Sequence, residues 1–231
     1  MRTNPDCAGH MKYGIFFSLI AVLLATVAVI HRGWLFLLLW PALSVAIVAM
    51  GYFHLGPRVY GKSACGLLSP TNQLLLFPYL LCLRSLWHII RFVRREPPFN
   101  QLTDCIFIGR RLLSRELPDD IDRVIDLTCE FNEPRTLRWR SYHSFQILDG
   151  LAPSPEQLRQ WVERVAGLSG NIYIHCAEGR GRTGLFAAAL LLHIGHSPTA
   201  HDALQFIKSK RPHVRLGKHQ LAVLHSTRNV F

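Results

Sequence analysis

The sequence predicts an α/β domain with a central, mostly parallel sheet flanked by helices, preceded by an α-helical membrane region. Three observations predict it. From Cys105 onward, short apolar runs alternate with runs whose apolar residues recur at helical spacing, the pattern of strand–helix–strand units. Near the N-terminus, two uncharged runs, Tyr13 to Ile30 and Trp34 to Tyr52, are each about long enough to cross a bilayer. Charge divides the same way: residues 1–98 hold nine Lys and Arg against two acids, a net of +7, and residues 99–231 hold seventeen against thirteen, a net of +4. The chain reads as a membrane region, 1–98, and a soluble domain, 99–231, large enough for its own core.

In the first part, spans are expected over about 13–30 and 34–52. A cleaved signal peptide is the rival reading of the first run. The second run follows His31-Arg32-Gly33 at once, and no small-residue cleavage site separates them, which favours two spans in a tight hairpin. Trp34, Trp40, Tyr52 and Phe53 are candidate interfacial anchors, although Trp40 lies inside the second run and is also placed to pack against the first. Arg2 and Lys12 precede the spans and Arg58 and Lys62 follow them, while the turn holds only His31 and Arg32. This asymmetry puts both ends in the cytoplasm. A third apolar stretch, Leu74 to Val93, would place the second part outside if it were another span. Its polar residues Arg84, His88, Arg91 and Arg95 instead fall on one helical stripe. A basic amphipathic helix over about 79–95 then lies in the headgroup plane, or packs against the spans with its arginines reaching outward. Pro97-Pro98 ends it in a stiff linker.

In the second part, Cys105–Gly109, Asp122–Thr128 and Ser144–Leu148 read as strands, the last closed by Asp149-Gly150. A helix follows over 154–168, with Ser154 as N-cap and Pro155 as first helical residue. Asn171–Ile174 is the next strand, Leu185–Ile194 a buried helix, and Ala200–Ser209 and His219–Thr227 two more helices.

The strand at 171–174 runs into His175-Cys-Ala-Glu-Gly-Arg-Gly-Arg-Thr-Gly184, and this loop carries the chemistry. A curled loop of this length points consecutive N–H groups inward, and Gly179, Gly181 and Gly184 relieve the steric limits of such a turn. The helix that opens next adds the partial positive charge of its N-terminus. Arg182 supplies a planar fork able to take two phosphate oxygens at once. A cysteine at the centre of such a field, Cys176, is held as a thiolate nucleophile. The six cysteines show no Cys-x2-Cys spacing, which argues against a zinc site and a disulfide framework. His193, His196 and His201 lack a carboxylate or cysteine to complete a ligand set. A thiolate also needs a reducing compartment, so this domain should face the cytoplasm.

The string His175-Cys176-x5-Arg182-Thr183-Gly184 resembles the signature of the cysteine-dependent protein tyrosine and dual-specificity phosphatases, here in a membrane-anchored, bacterial-type member. The segment Leu148-Asp-Gly-Leu-Ala-Pro-Ser-Pro155 resembles the acid loop of the dual-specificity branch. The resemblance implies that branch's fold from about Cys105 to the C-terminus, and a phosphocysteine mechanism without metal or cofactor. In it Cys176 attacks phosphorus and Asp149 protonates the leaving oxygen. Ala177, Glu178, Gly179, Arg180 and Gly181 then line the phosphate with Arg182, Thr183 donates to the departing thiolate, and His175 orders the loop. Asp126 and Asp122 are the alternative acids, in or beside an earlier strand. Glu178 departs from the family, which has a small residue there; it either enters the pocket and repels phosphate or turns away to pair with an arginine. Arg180 is similar to the extra basic residue of lipid-directed members, or is an exposed surface arginine. The expected partners are a phosphorylated protein or a phospholipid and the membrane itself, with no nucleic acid. The first substrate reading is a dual-specificity or tyrosine protein phosphatase; the second is a membrane lipid phosphatase, and a third is an inactive phosphate-binding scaffold.

Overall fold

A computed structural model describes residues 5–227, with side chains from Met11 onward; Arg2, counted in the first basic flank, lies outside them. The chain divides into two units, Met1–Ser63 with Leu67–Arg95, and Ala64–Gly66 with Glu96–Phe231.

In the first unit the first apolar run is a single helix, α1 (Pro5–His31). It ends where Arg32 and Gly33 take positive φ values of 51° and 60°, a left-handed pair that reverses the chain within two residues. The second run is helical throughout but changes pitch: a 3-10 turn (Gly33–Leu38), α2 (Leu39–Met50), a π turn (Gly51–Leu55) and a second 3-10 turn (Gly56–Tyr60). Helix α1 approaches this path at Gly14, where a Cβ would sit 2.6 Å from the Phe53 ring. Phe17 stacks on Tyr52 close by, with ring centroids 5.5 Å apart. Among the described residues, two helical segments, Met11–His31 of 21 residues and Gly33–Tyr60 of 28, are long and apolar enough to cross a membrane.

The stretch 74–93 is two helices. α3 (Pro70–Leu75) is capped by Ser69, whose hydroxyl accepts from Asn72 N at 3.2 Å, and α4 (Phe77–Val93) starts anew with Pro78 in its first turn. The orphan N–H of Tyr79 donates to Ser44 Oγ of α2 at 3.3 Å. Phe77 stacks on Trp40 at 5.7 Å and Tyr79 meets Phe17 edge-on at 5.8 Å. Trp40 thus packs against α4 through the Phe77 ring. Leu80 and Trp87 are buried, and Arg91 lies over the Trp87 ring at 5.9 Å, so α4 packs on the other helices with part of its basic stripe covered. Leu81, Leu86, Ile89, Phe92 and Val93 remain exposed.

The second unit is built on a five-stranded sheet of β1 (Phe99–Gln101), β2 (Ile106–Arg110), β3 (Arg123–Thr128), β4 (Ser141–Ile147) and β5 (Ile172–Cys176), in spatial order β1-β2-β5-β3-β4. Only β1 runs antiparallel to its neighbour. This edge strand has no sequence signal of its own, being three residues after a proline pair. β4 begins three residues before the expected Ser144 because Ser141, Tyr142 and His143 pair with Arg123, Val124 and Ile125. Helices α5 (Arg135–Arg138), α6 (Pro155–Ala166), α7 (Gly181–His193), α8 (Ala200–Lys210) and α9 (Lys218–Thr227) complete the unit. The expected cap of α6 is present, Ser154 Oγ accepting from Gln157 N at 3.2 Å.

Strand alternation sorts the side chains. Ile172, Ile174 and Cys176 of β5 join Ile125 and Leu127 of β3 in the main core, against α7 and its neighbours α6, α8 and α9. Tyr173 of β5, Val124 of β3 and Phe107 of β2 form a smaller core on the opposite face, with Leu137 of α5. Leu185, Phe186, Leu190 and Leu191 of α7 are all buried, each stabilising the fold by about 1.5–3 kcal/mol. α7 is thereby fixed behind the end of β5, and the loop between them is held at both ends.

Candidate active site

Cys176 closes the central strand β5 on its helix-packed face and is 3% exposed. The loop then turns back across the end of β2. Gly179 has φ +69°, and a Cβ there would collide with the Gly109 carbonyl and Arg110 N, so this close crossing requires glycine. Gly184, at ordinary φ, lets Val214 approach to 2.5 Å from where a Cβ would be, which seats α7.

The loop carbonyls point outward. Ala177 O accepts from Arg111 N at 3.2 Å, and Gly179 O and Glu178 O accept from Arg211 Nε at 2.9 Å and Nη2 at 3.4 Å. In a trans peptide the following N–H is antiparallel to the carbonyl. The amides of Glu178, Gly179 and Arg180 are therefore turned the other way, into the concavity of the loop, as an anion nest requires.

Arg182 is 1% exposed and its guanidinium is held along one edge. Nη1 and Nη2 donate to Glu130 Oε2 and Oε1 at 3.0 and 2.7 Å, and Nη1 also donates to Ile147 O at 2.9 Å. The edge left over carries Nε, buried without a hydrogen-bond partner, and Nη2, 3.0 Å from Asp149 Oδ1. Burial pushes the Glu130 carboxyl up, but the Arg182 charge and hydrogen bonds from Arg182 and backbone amides outweigh it and hold it below the usual carboxylate range. Burial alone would weaken the charge on Arg182; Glu130 and Asp149 reverse that and hold it firmly protonated.

Asp149 follows β4 in a turn closed by Leu151 N to Leu148 O at 3.1 Å, with Gly150 at φ +75°. Its side chain is 77% exposed and touches Arg182, which places it at the mouth above the buried cysteine and arginine. The acid loop is tied down by Gln220 of α9, which donates to Leu151 O at 2.9 Å and accepts from Gly217 N at 3.0 Å.

The other candidates occupy varied positions. Thr183 Oγ1 donates to Gly109 O at 3.4 Å. His175 lies on the sheet face opposite Cys176, stacked on Tyr173 at 5.4 Å, with Nε2 3.9 Å from Glu133 Oε2. Glu178 turns toward Arg180, Oε2 lying 3.8 Å from Nε, and Arg180 also pairs with Glu96. Ala177, Gly179 and Gly181 shape the loop backbone. Asp126 is buried and accepts from Thr128 N at 2.7 Å, Thr128 Oγ1 at 2.8 Å and Tyr142 OH at 2.5 Å. Asp122 Oδ2 accepts from Asn171 N at 2.8 Å. Both alternative acids therefore serve the fold.

Asp126, Glu133 and His175 bring ligand-capable atoms within 4.8 Å of one another. Asp126 is engaged by three donors and Glu133 Oε1 accepts from Arg111 Nε at 2.9 Å, while Glu133 Oε2 and both ring nitrogens of His175 are buried without a hydrogen-bond partner. Sequence reasoning missed Glu130, Arg211 and Gln220. Thr128-Cys-Glu130 at a strand end was the one available signal, an acid beside a buried strand terminus in need of a partner.

Residues 119–229 match the family model "Dual specificity phosphatase, catalytic domain". A curated relative, the tyrosine-protein phosphatase CDC14 of Candida albicans, is 23% identical over 116 residues, which is 48% of this chain and 21% of the relative. The chain thus spans about a fifth of the length of the curated relative it matches. Among solved structures, Tk-PTP in the active form superposes with a TM-score of 0.52 at 27% identity, covering 58% of this chain and 99% of that one. PTPMT1 in complex with PI(5)P gives a TM-score of 0.51 at 20% identity, covering 58% and 96%. The human tyrosine phosphatase-like serine/threonine/tyrosine-interacting protein gives 0.52 at 16% identity, covering 58% and 98%. The last two share the fold.

Proposed function

We propose that the protein is a membrane-anchored phosphatase that hydrolyses phosphate monoesters through a phosphocysteine at Cys176, on the premise that residues 119–229, which match the dual specificity phosphatase catalytic domain, work as that domain does. The observation that carries the reading is the half-used guanidinium of Arg182. Glu130 fills one edge, while the Nε–Nη2 edge is left for a dianion beside Cys176 and below Asp149.

The incoming phosphate takes that edge bidentately and displaces the Asp149 carboxylate from Nη2. The loop amides hold its remaining oxygens. Asp149, released from Arg182, takes up a proton from solvent; Cys176 Sγ then bonds to phosphorus in line as the bond to the leaving oxygen breaks, and Asp149 gives that oxygen its proton. In the second step water attacks phosphorus, passes a proton back to Asp149 and releases orthophosphate and the thiolate. His175, on the other face of the sheet, orders the strand end and takes no proton in either step. The residues of the domain, 99–231, supply every group used.

The favoured substrate is a phosphorylated protein, with phosphotyrosine as first choice. A phospholipid headgroup is the second reading, favoured by the apolar surface that Leu19, Val22, Ile30, Trp34 and Leu37 leave exposed on the first unit. Full-length protein in detergent micelles, assayed on a phosphotyrosine peptide and on a micellar phospholipid phosphomonoester, separates the two. Cys176→Ser is expected to abolish turnover on either substrate, and Asp149→Asn to reduce kcat roughly 10²–10⁴-fold. Undiminished activity in Cys176→Ser would overturn the mechanism.

A further inference from the structure

We infer that Arg211 is a positioning residue for catalysis, one whose guanidinium sets the phosphate loop in its anion-binding conformation; the inference rests on the phosphatase reading above. Arg211 follows α8 and is 2% exposed. A guanidinium so placed gives up its hydration, and a role confined to solubility would not bury it. Its donors are divided between two segments. Nε reaches Gly179 O at 2.9 Å and Nη2 reaches Glu178 O at 3.4 Å, both in the loop. Nη1 reaches Pro97 O at 3.1 Å and Asn100 Oδ1 at 2.8 Å, in the segment leading into β1. That segment is itself fixed to the sheet, Arg110 N donating to Pro98 O at 3.0 Å. One planar group therefore fastens two consecutive loop carbonyls to a rigid edge of the sheet.

The peptide group makes this a functional device. Two adjacent carbonyls drawn toward the outer guanidinium force the amides of Gly179 and Arg180 to face inward. A loop whose carbonyls were free to flip would at times present oxygen, and not N–H, to an anion. Arg211 thus converts a glycine-rich segment, with little conformational preference of its own, into a preorganised nest. Burial holds the Arg211 guanidinium below its ordinary range, and Tyr173, Glu96 and Cys176 oppose that shift only in part. Neither Lys nor Met reproduces the arrangement, because the three donors of a lysine share one nitrogen and do not span both segments, and a methionine has none.

The test is oxyanion binding and steady-state kinetics on the full-length protein in detergent micelles, for wild type, Arg211→Met, Arg211→Lys and Asn100→Ala. Tungstate is the probe of the empty loop, read by calorimetry well below the melting temperature of every variant. Arg211→Met is expected to weaken tungstate binding at least tenfold and to lower kcat/KM by a larger factor, with kcat falling as well as KM rising. Arg211→Lys should recover part of both, and Asn100→Ala, which removes one outer anchor, should show a smaller loss of the same sign. A purely structural arginine would lower the melting temperature and leave tungstate affinity and kcat unchanged in the folded variant, and that result would overturn the inference. Should Arg211→Met fail to fold, Asn100→Ala and Arg211→Lys carry the same comparison, and unchanged tungstate affinity in both would again overturn it. A wild-type protein that neither binds tungstate nor turns over a monoester would overturn the phosphatase reading instead, a distinguishable failure.

Discussion

A guanidinium taken out of water carries a desolvation cost of several kcal/mol, and at Arg182 the two-point pairing with Glu130 offsets it. Breaking one partner is costly in such a pair. Glu130→Gln is expected to destabilise the domain by about 3–5 kcal/mol, because it leaves the buried Arg182 charge uncompensated. Denaturant unfolding at neutral pH reads that loss; a change within about 0.5 kcal/mol would show the pair to be dispensable. The pair also sets an acid limit. The folded carboxyl of Glu130 is held below its unfolded value, so its stabilisation is complete above the ordinary carboxylate range and is lost as pH falls through the lower, folded value. Stability in Glu130→Gln should accordingly vary less with pH over the acid range than in wild type. Legibility at this scale divides by sequence distance. Cys176, Arg182 and Gly179 lie within one loop, where spacing alone reveals the chemistry. Glu130 reaches Arg182 across 52 positions and Arg211 reaches Gly179 across 32, with no periodicity to announce either contact.

Elements were legible where their own pattern was sufficient. The continuous apolar run of α7 and the Ser154-Pro155 start of α6 need no tertiary information. β1 is the contrary case, three residues that become a strand only because Gly109, Ile108 and Phe107 of β2 offer them a ladder. α4 is intermediate: its stripe of arginines was visible, but the seating of its first turn depends on Trp40, Phe17 and Ser44 in other helices. The same dependence governs the acid loop. Its Asp-Gly turn is local, yet its anchorage comes from α9 through Gln220. Gln220→Ala should therefore loosen the turn that carries Asp149, lowering kcat several-fold and costing about 1–3 kcal/mol for the buried groups left unpaired. Faster amide hydrogen exchange at residues 149–152, measured beside kcat, is the expected signature. Unchanged kcat with unchanged exchange would show that the loop holds itself.

At the scale of the whole molecule, two arguments of different kind converge on one sidedness. The basic residues Lys12, Arg58 and Lys62 flank the two apolar segments on their outer ends, the charge pattern from which the proposed cytoplasmic placement of those ends is argued. Independently, a mechanism that runs through a thiolate needs a compartment that keeps Cys176 reduced. A reporter already exists in the chain, for Cys105 is a free and exposed thiol in the catalytic unit. In a variant with Cys7, Cys65 and Cys82 changed to Ser, a membrane-impermeant maleimide should leave Cys105 unlabelled in intact cells and label it once the membrane is opened. Cys176 and Cys129 are buried and should react far more slowly, so the signal belongs to Cys105. Labelling in intact cells would place the domain outside, where neither a stable thiolate nor a cytoplasmic phosphoprotein is at hand. A cleaved first run would leave Gly33–Tyr60 as a single span with the domain still inward, so this measurement decides the side on which the domain lies.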